Sequence, residues 1–327
     1  TERGTKVMKK TIKTILCVVL VAAFVLALAG CEKINYITDG TIQAIKEVQD
    51  GTYKDTGAEE ETGTSTIDPF VADTYGGIEF ADEAAVVDYY VQCYNNTKSQ
   101  TANYKDADGN AATYYALLGE EKISIEKVLI EGSENSVINN LVPTIVDGLF
   151  SPSTYGLPPC NNRDPQLDNS NQDPANPGQF DFKQSYFTAE DCQACNVVDN
   201  GDGTITITIQ PKAGQMSMRG EDSQGRFFEV LGDIGATVDS ISQLSWASGT
   251  TEENCIVNYE GGTGTVKIDT ATNTIVEADY HMAVDVSVNH ANVLVIKDKS
   301  ASVQISYDMH YPASDQYLLD SKGITKA

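Results

Sequence analysis

The chain has 327 residues, 41% of them hydrophobic, with 47 acidic side chains against 22 basic ones and a formal charge of −25 at pH 7. That much apolar material suffices for the packed core of one large domain or two small ones. So acidic a surface repels phosphate backbones and anionic headgroups, which argues against nucleic acid or a basic peripheral membrane patch and fits a solvated, exported body.

In chain order, the first element is a basic start (Lys9, Lys10, Lys13) that runs into an apolar segment, Ile15 to Leu28, and closes on Leu28-Ala29-Gly30-Cys31. Positive flank, hydrophobic middle and small residues at the cut site are the layout of a secretory signal. The apolar run is shorter than the roughly 20 residues that cross a bilayer core. Its last four residues resemble the lipobox of bacterial lipoproteins. The resemblance implies cleavage before Cys31, a diacylglycerol thioether on its sulfur, palmitate-type acyl chains, and a protein held on the extracellular face of the cell membrane. Each chain contributes roughly 0.8 kcal/mol per buried CH₂, so two or more hold a soluble domain firmly. Residues 1–30 then leave as signal peptide, taking five basic groups and one acid, and the charge falls to −29.

Residues 31–78 read as an acidic, flexible tether, with Glu59-Glu60-Glu61 and Thr62-Gly63-Thr64-Ser65-Thr66 and too few apolar positions to bury a core. Ile42, Ile45 and Val48 at helical spacing suggest a local turn too short to stand alone. The folded domain is expected over 79–327. Asp82 can cap a helix to Lys98 whose apolar face carries Ala85, Val86, Tyr89, Tyr90, Cys93 and Tyr94. Strands are predicted over 113–118 and 122–130, then a helix over 136–150 kinked or split at Pro143. Six prolines among Asn, Asp and Gln make 151–179 a long surface loop. The alternation of Thr204 to Ile209 behind the turn 199–203 predicts a strand, and Phe227, Phe228, Leu231, Ile234, Val238 and Ile241 predict a helix over 223–244.

The C-terminal third reads as a meander of strands over 264–269 and 274–288 joined by the turn 269–273, then 292–296 and 302–311 joined at Lys297–Ser300. Val276, Ala278, Tyr280, Met282, Val284, Val286 and Val288 share one face, and Glu277, Asp279, His281, Asp285 and Ser287 the other. One apolar and one polar face per strand predicts an antiparallel sheet covered on one side, an α+β architecture. Ala84-Ala85-Val86-Val87-Asp88-Tyr89-Tyr90, Asn95-Asn96-Thr97-Lys98 and Cys195 ahead of Asp199-Asn200-Gly201-Asp202-Gly203-Thr204 resemble lipoproteins of anaerobic Gram-positive bacteria. The order of strands and helices is similar to lipoprotein carriers of the LolA and LppX type. That likeness implies a curved, unclosed half-barrel with helices on its apolar face. The expected function is a non-enzymatic, membrane-anchored binding protein for an apolar ligand, a lipid or a protein partner, with Ile205, Ile207, Ile209, Tyr280, Met282, Val284, Val303, Ile305 and Tyr307 lining the site. The same residues equally suit an ordinary core. The alternative is a cell-surface hydrolase or glycan-active protein using carboxylates that the sequence does not single out.

Five cysteines remain once Cys17 leaves and Cys31 is acylated. Export favours disulfides, and the expected pairs are Cys195 with Cys255 and Cys160 with Cys192, leaving Cys93 as a buried helix residue. A redox role for Cys192-Gln193-Ala194-Cys195 lacks the helix N-terminus such pairs use, and a zinc site lacks a second close pair. Asp106 to Asn110 begins like a calcium loop but has Ala111 where glycine is needed, so a plain turn is expected. Gly261 to Gly264 is expected to form a hairpin. His281 and His310 fall on the polar strand faces with His290 in a turn between them. They read as solvated surface histidines, since no nucleophile elbow or zinc motif accompanies them. No catalytic residue, metal or cofactor is assigned.

Overall fold

A computed structural model of the chain describes residues 60–61, 65–134, 156–157, 185, 187–215, 222–228, 239, 244–293 and 296–327. The expected signal segment with Leu28, Ala29, Gly30 and Cys31, the expected helix 136–150, nearly all of the expected proline-rich loop and Cys160 lie outside the described residues.

The architecture is strand-rich and mixed, as α+β predicts, and its main element is a ten-stranded antiparallel sheet. Its centre is a three-strand meander of β12 (Cys255–Asp269), β13 (Thr274–Val293) and β14 (Ile296–Tyr311). Outside β14 lies β6 (Glu120–Ile130), followed by β7 (Ser133–Glu134). On the other side, β12 pairs along one half with β10 (Ala213–Gln215) and along the other with β9 (Thr204–Pro211), which in turn pairs with β8 (Cys192–Asp199). The short strands β1 (Glu60–Glu61) and β11 (Leu244–Trp246) complete the sheet on β10 and β13. A small sheet of β4 (Thr101–Lys105), β5 (Ala111–Tyr115) and β15 (Thr325–Lys326) packs its own cluster around Tyr104, Tyr115, Leu118 and Ile324.

Helix α1 (Glu83–Lys98) forms where its apolar spacing predicts, and the Asp82 carboxylate caps it by accepting the Ala85 N–H at 2.9 Å. It covers the inner face of the sheet. The Tyr90 and Tyr280 hydroxyls meet at 3.0 Å, and the Ile275 N–H donates to the Thr97 hydroxyl at 2.7 Å. Beside α1, the rings of Phe187 and Phe227 stand 4.8 Å apart and Phe227 lies 5.7 Å from Tyr280, so aromatic side chains occupy the space over the middle of β13.

Several expectations are corrected. The packed body begins before residue 79: β1 is already in the sheet, the Thr66 N–H donates to Gln210 at 2.8 Å, and β2 (Asp73–Tyr75) pairs with β3 (Ile78–Phe80). The helix expected over 223–244 is interrupted. It spans Ser223–Phe227 (α2), Phe228 is extended with ψ 178, and Leu244 opens β11, the residues between being largely outside the described set. Phe227 and Phe228 are both fully buried with rings 5.0 Å apart. Consecutive helical residues point about 100° apart. Leaving the helix between them lets both rings reach the sheet.

Gly261 to Gly264 is no hairpin but the middle of β12, where Glu260 is an extra residue in a bulge. At Gly264 an added Cβ would stand 2.6 Å from the Phe227 ring, so the glycine permits the close approach of ring to sheet. A second bulge makes Val276 the extra residue between Ile275 and Glu277. Ile275 is therefore buried in its place and Val276 is exposed. The last hairpin turns earlier in the chain than expected: β13 continues to Val293, which pairs with Ile296, so Lys297–Ser300 belongs to the second strand rather than to a turn.

Candidate functional site

The polar face of the sheet carries its chemistry in rows set by strand register. Across β12, β13, β14 and β6 one row reads Thr265, Asp279, His310 and Glu120, and the next Thr263, His281, Asp308 and Lys122. Asp279-Tyr280-His281 and Asp308-Met309-His310 lie on neighbouring antiparallel strands, so each histidine faces the other strand's aspartate. The His281 Nδ1 is 2.7 Å from Asp308 and the His310 Nδ1 is 2.6 Å from Asp279. All four side chains are half exposed, at 50% to 62%. With Nδ1 held by a carboxylate, ring orientation is fixed and Nε2 is left for a further partner.

Around these pairs lies an open cleft of about 480 Å³, lined also by Glu120, Lys122, Thr263, Thr265 and Tyr317. Ser314 donates to the Glu120 carboxylate from its N–H at 2.8 Å and from its hydroxyl, and these bonds, with His310 beside them, hold the Glu120 carboxyl below its usual value. Tyr317 closes the rim: its hydroxyl accepts the Glu121 N–H at 3.0 Å and donates to the Glu121 carbonyl. Burial raises the Tyr317 phenol further above its ordinary value. The floor is therefore a two-sided hydrogen-bonding surface. Lys122 and the threonine hydroxyls supply donors, while carboxylates and hydroxyls supply acceptors.

The sequence places His281 and His310 on this face. It misses their aspartates, Glu120, Lys122 and Tyr317. The readable signal is the repeated Asp-x-His on consecutive strands, because antiparallel pairing makes two such tripeptides reciprocal. His290 is not part of the cleft. It has φ +50 beside a register shift in β13 and pairs with Asp298 at 2.8 Å.

The expected ligand-lining set lies on the opposite face. Ile205, Ile207, Ile209, Tyr280, Met282, Val284, Val303, Ile305 and Tyr307 are between 0% and 7% exposed and belong to one hydrophobic core. The expected Cys195–Cys255 disulfide is overturned, since both are free thiols. Cys195 pairs with Ile209 and Ile209 with Gly264, nine residues along β12 from Cys255. At ~3.3 Å per residue the two cysteines are on the order of 30 Å apart, far beyond disulfide reach. Cys192 is free as well, and its expected partner Cys160 is outside the described residues. Cys93 is a buried free thiol pushed up to about 12 by burial.

Asp106 makes a tight turn between β4 and β5, its carboxylate accepting the Asp108 and Asn110 N–H groups at 2.9 and 2.8 Å. Among the described residues no three His, Cys, Asp or Glu side chains gather in a metal-holding group, and no helix is long and apolar enough to cross a membrane. No family model, curated protein or solved structure matches the chain.

Proposed function

We propose that this chain is a lipid-anchored, extracellular, non-enzymatic binding protein that holds a neutral, hydroxyl-rich ligand of the glycan class in the cleft over β13 and β14. The observation that carries the reading is the pair of reciprocal His–Asp contacts on the floor of a 480 Å³ cleft with Lys122, Thr263, Thr265 and Tyr317 around it. A sugar hydroxyl both donates and accepts, which suits a surface offering both. The acidic balance of the chain disfavours anionic ligands, and the carboxylates of Asp279, Asp308 and Glu120 already have partners in His310, His281 and Ser314. The lipobox-like Leu28-Ala29-Gly30-Cys31 supports the anchor, and in this reading the cleft faces the outside of the cell. In the same reading the sheet is a half-barrel of the LolA and LppX type, with its concave side filled by Tyr90, Phe187, Phe227 and Phe228 in place of acyl chains.

Isothermal titration against a panel of neutral oligosaccharides tests the ligand class. At least one should bind, and Lys122→Ala should weaken it about tenfold or more, the loss of one charge-assisted hydrogen bond of ~1.5 kcal/mol. Binding unaffected by Lys122→Ala, or no binding by the unaltered protein, contradicts the reading.

A further inference from the structure

Cys192 and Cys195 are three apart in sequence, and in a regular strand such residues point to opposite faces. In β8 they do not. Cys192 pairs with Pro211, Ala194 with Gln210 and Cys195 with Ile209, so Gln193 is the extra residue of a bulge. Measured on β9, the two cysteines are two positions apart and share a face. Their sulfurs are neighbours: hydrogen bonding with Cys192, burial and the charge of Cys192 together raise the Cys195 thiol, in that order. Two positions of strand are roughly 6.6 Å, at the upper end of the Cα separation a disulfide spans, and the bend of a bulge shortens it. Opposite the bulge, the buried Gln224 amide donates to the carbonyls of Pro211 and Lys212 and fixes the end of β9. Cys195 is 0% exposed in the core, whereas Cys192 is half-buried at its edge.

We propose that Cys192 and Cys195 are a bulge-held dithiol that closes to an intrastrand disulfide by exchange with a small organic disulfide. Cys192, the accessible thiol, loses its proton to solvent and attacks one sulfur of R–S–S–R. The Cys192–S bond forms, the S–S bond of the reagent breaks, and RS⁻ leaves with the electron pair and is protonated. Cys195, losing its proton in turn, attacks the Cys192 sulfur and expels the second RS⁻. Two cysteine thiols are oxidised to one disulfide, and one R–S–S–R is reduced to two RSH.

The test is incubation of the folded full chain with oxidised glutathione, followed by alkylation and peptide mass mapping. The expected product is a peptide two hydrogens lighter that holds both Cys192 and Cys195, with no glutathione retained. Cys195→Ser should instead trap one glutathione on Cys192, and the same adduct in the unaltered protein should stay below about a tenth of that level, because the buried thiol resolves it. A Cys192–Cys160 linkage, or both thiols still alkylated after oxidation of the unaltered protein, overturns the proposal whatever the variant does.

Discussion

Gly264 and Glu120 show how single positions set the two faces of the sheet. A methyl group at Gly264 would press on the Phe227 and Tyr280 rings, at 2.6 and 2.8 Å. Gly264→Ala is expected to lower stability by about 1–3 kcal/mol through overpacking, read as a drop in the urea midpoint. On the other face, the hydrogen bonds from Ser314 hold the folded Glu120 carboxyl below its ordinary 4.5. A carboxyl depressed on folding stabilises the protein above its unfolded value, and that contribution is lost as pH falls through the folded one. Glu120→Gln should therefore destabilise the chain at about pH 6 but much less at about pH 3, and a deficit independent of pH would refute the linkage. The glycine was legible as a residue but not as a contact. Strand alternation reveals which side chains share a face, whereas the approach of Phe227 to that spot depends on a helix that ends between two adjacent phenylalanines.

At the scale of elements, α1 was the most readable feature, since its cap and apolar spacing are local. Asp82→Ala is expected to cost ~1 kcal/mol, measured by thermal or chemical unfolding, because the Ala85 N–H loses its acceptor. Strand existence was readable for the same local reason, as Thr204 to Ile209 and Ala278 to Val288 show in their burial pattern. Bulges were not. One extra residue at Glu260, Val276 or Gln193 reverses the facing of everything on one side of it, and the extra residue is specified by the partner strand rather than by its own sequence. The misplacement of Val276 traces to this, and so does the assignment of Cys192 and Cys195 to separate partners. The expected Cys195–Cys255 pair fails for a similar reason, because the ends of different strands look close where no register is known.

At the scale of the whole molecule, one sheet separates two environments: an inner face closed by aromatic rings and an outer face bearing the reciprocal His–Asp pairs. The division was visible in the alternation of the C-terminal strands. Which face offers room was not, since the same apolar residues serve a core or a cavity and only packing distinguishes them. If the proposed anchor holds, Cys31→Ser should move the protein from the membrane fraction to the medium, as detected by fractionation and immunoblotting, and unchanged membrane retention would contradict it.

The most direct test of the outer cleft uses the three histidines of the chain as reporters, because His290 makes the same kind of contact to Asp298 outside the cleft. Imidazole nuclear magnetic resonance signals are followed while an oligosaccharide that binds is titrated in. The account predicts that His281 and His310 shift together with saturation while His290 stays in place. Shifts confined to His290, or an unmoved histidine spectrum at saturating ligand, would contradict it.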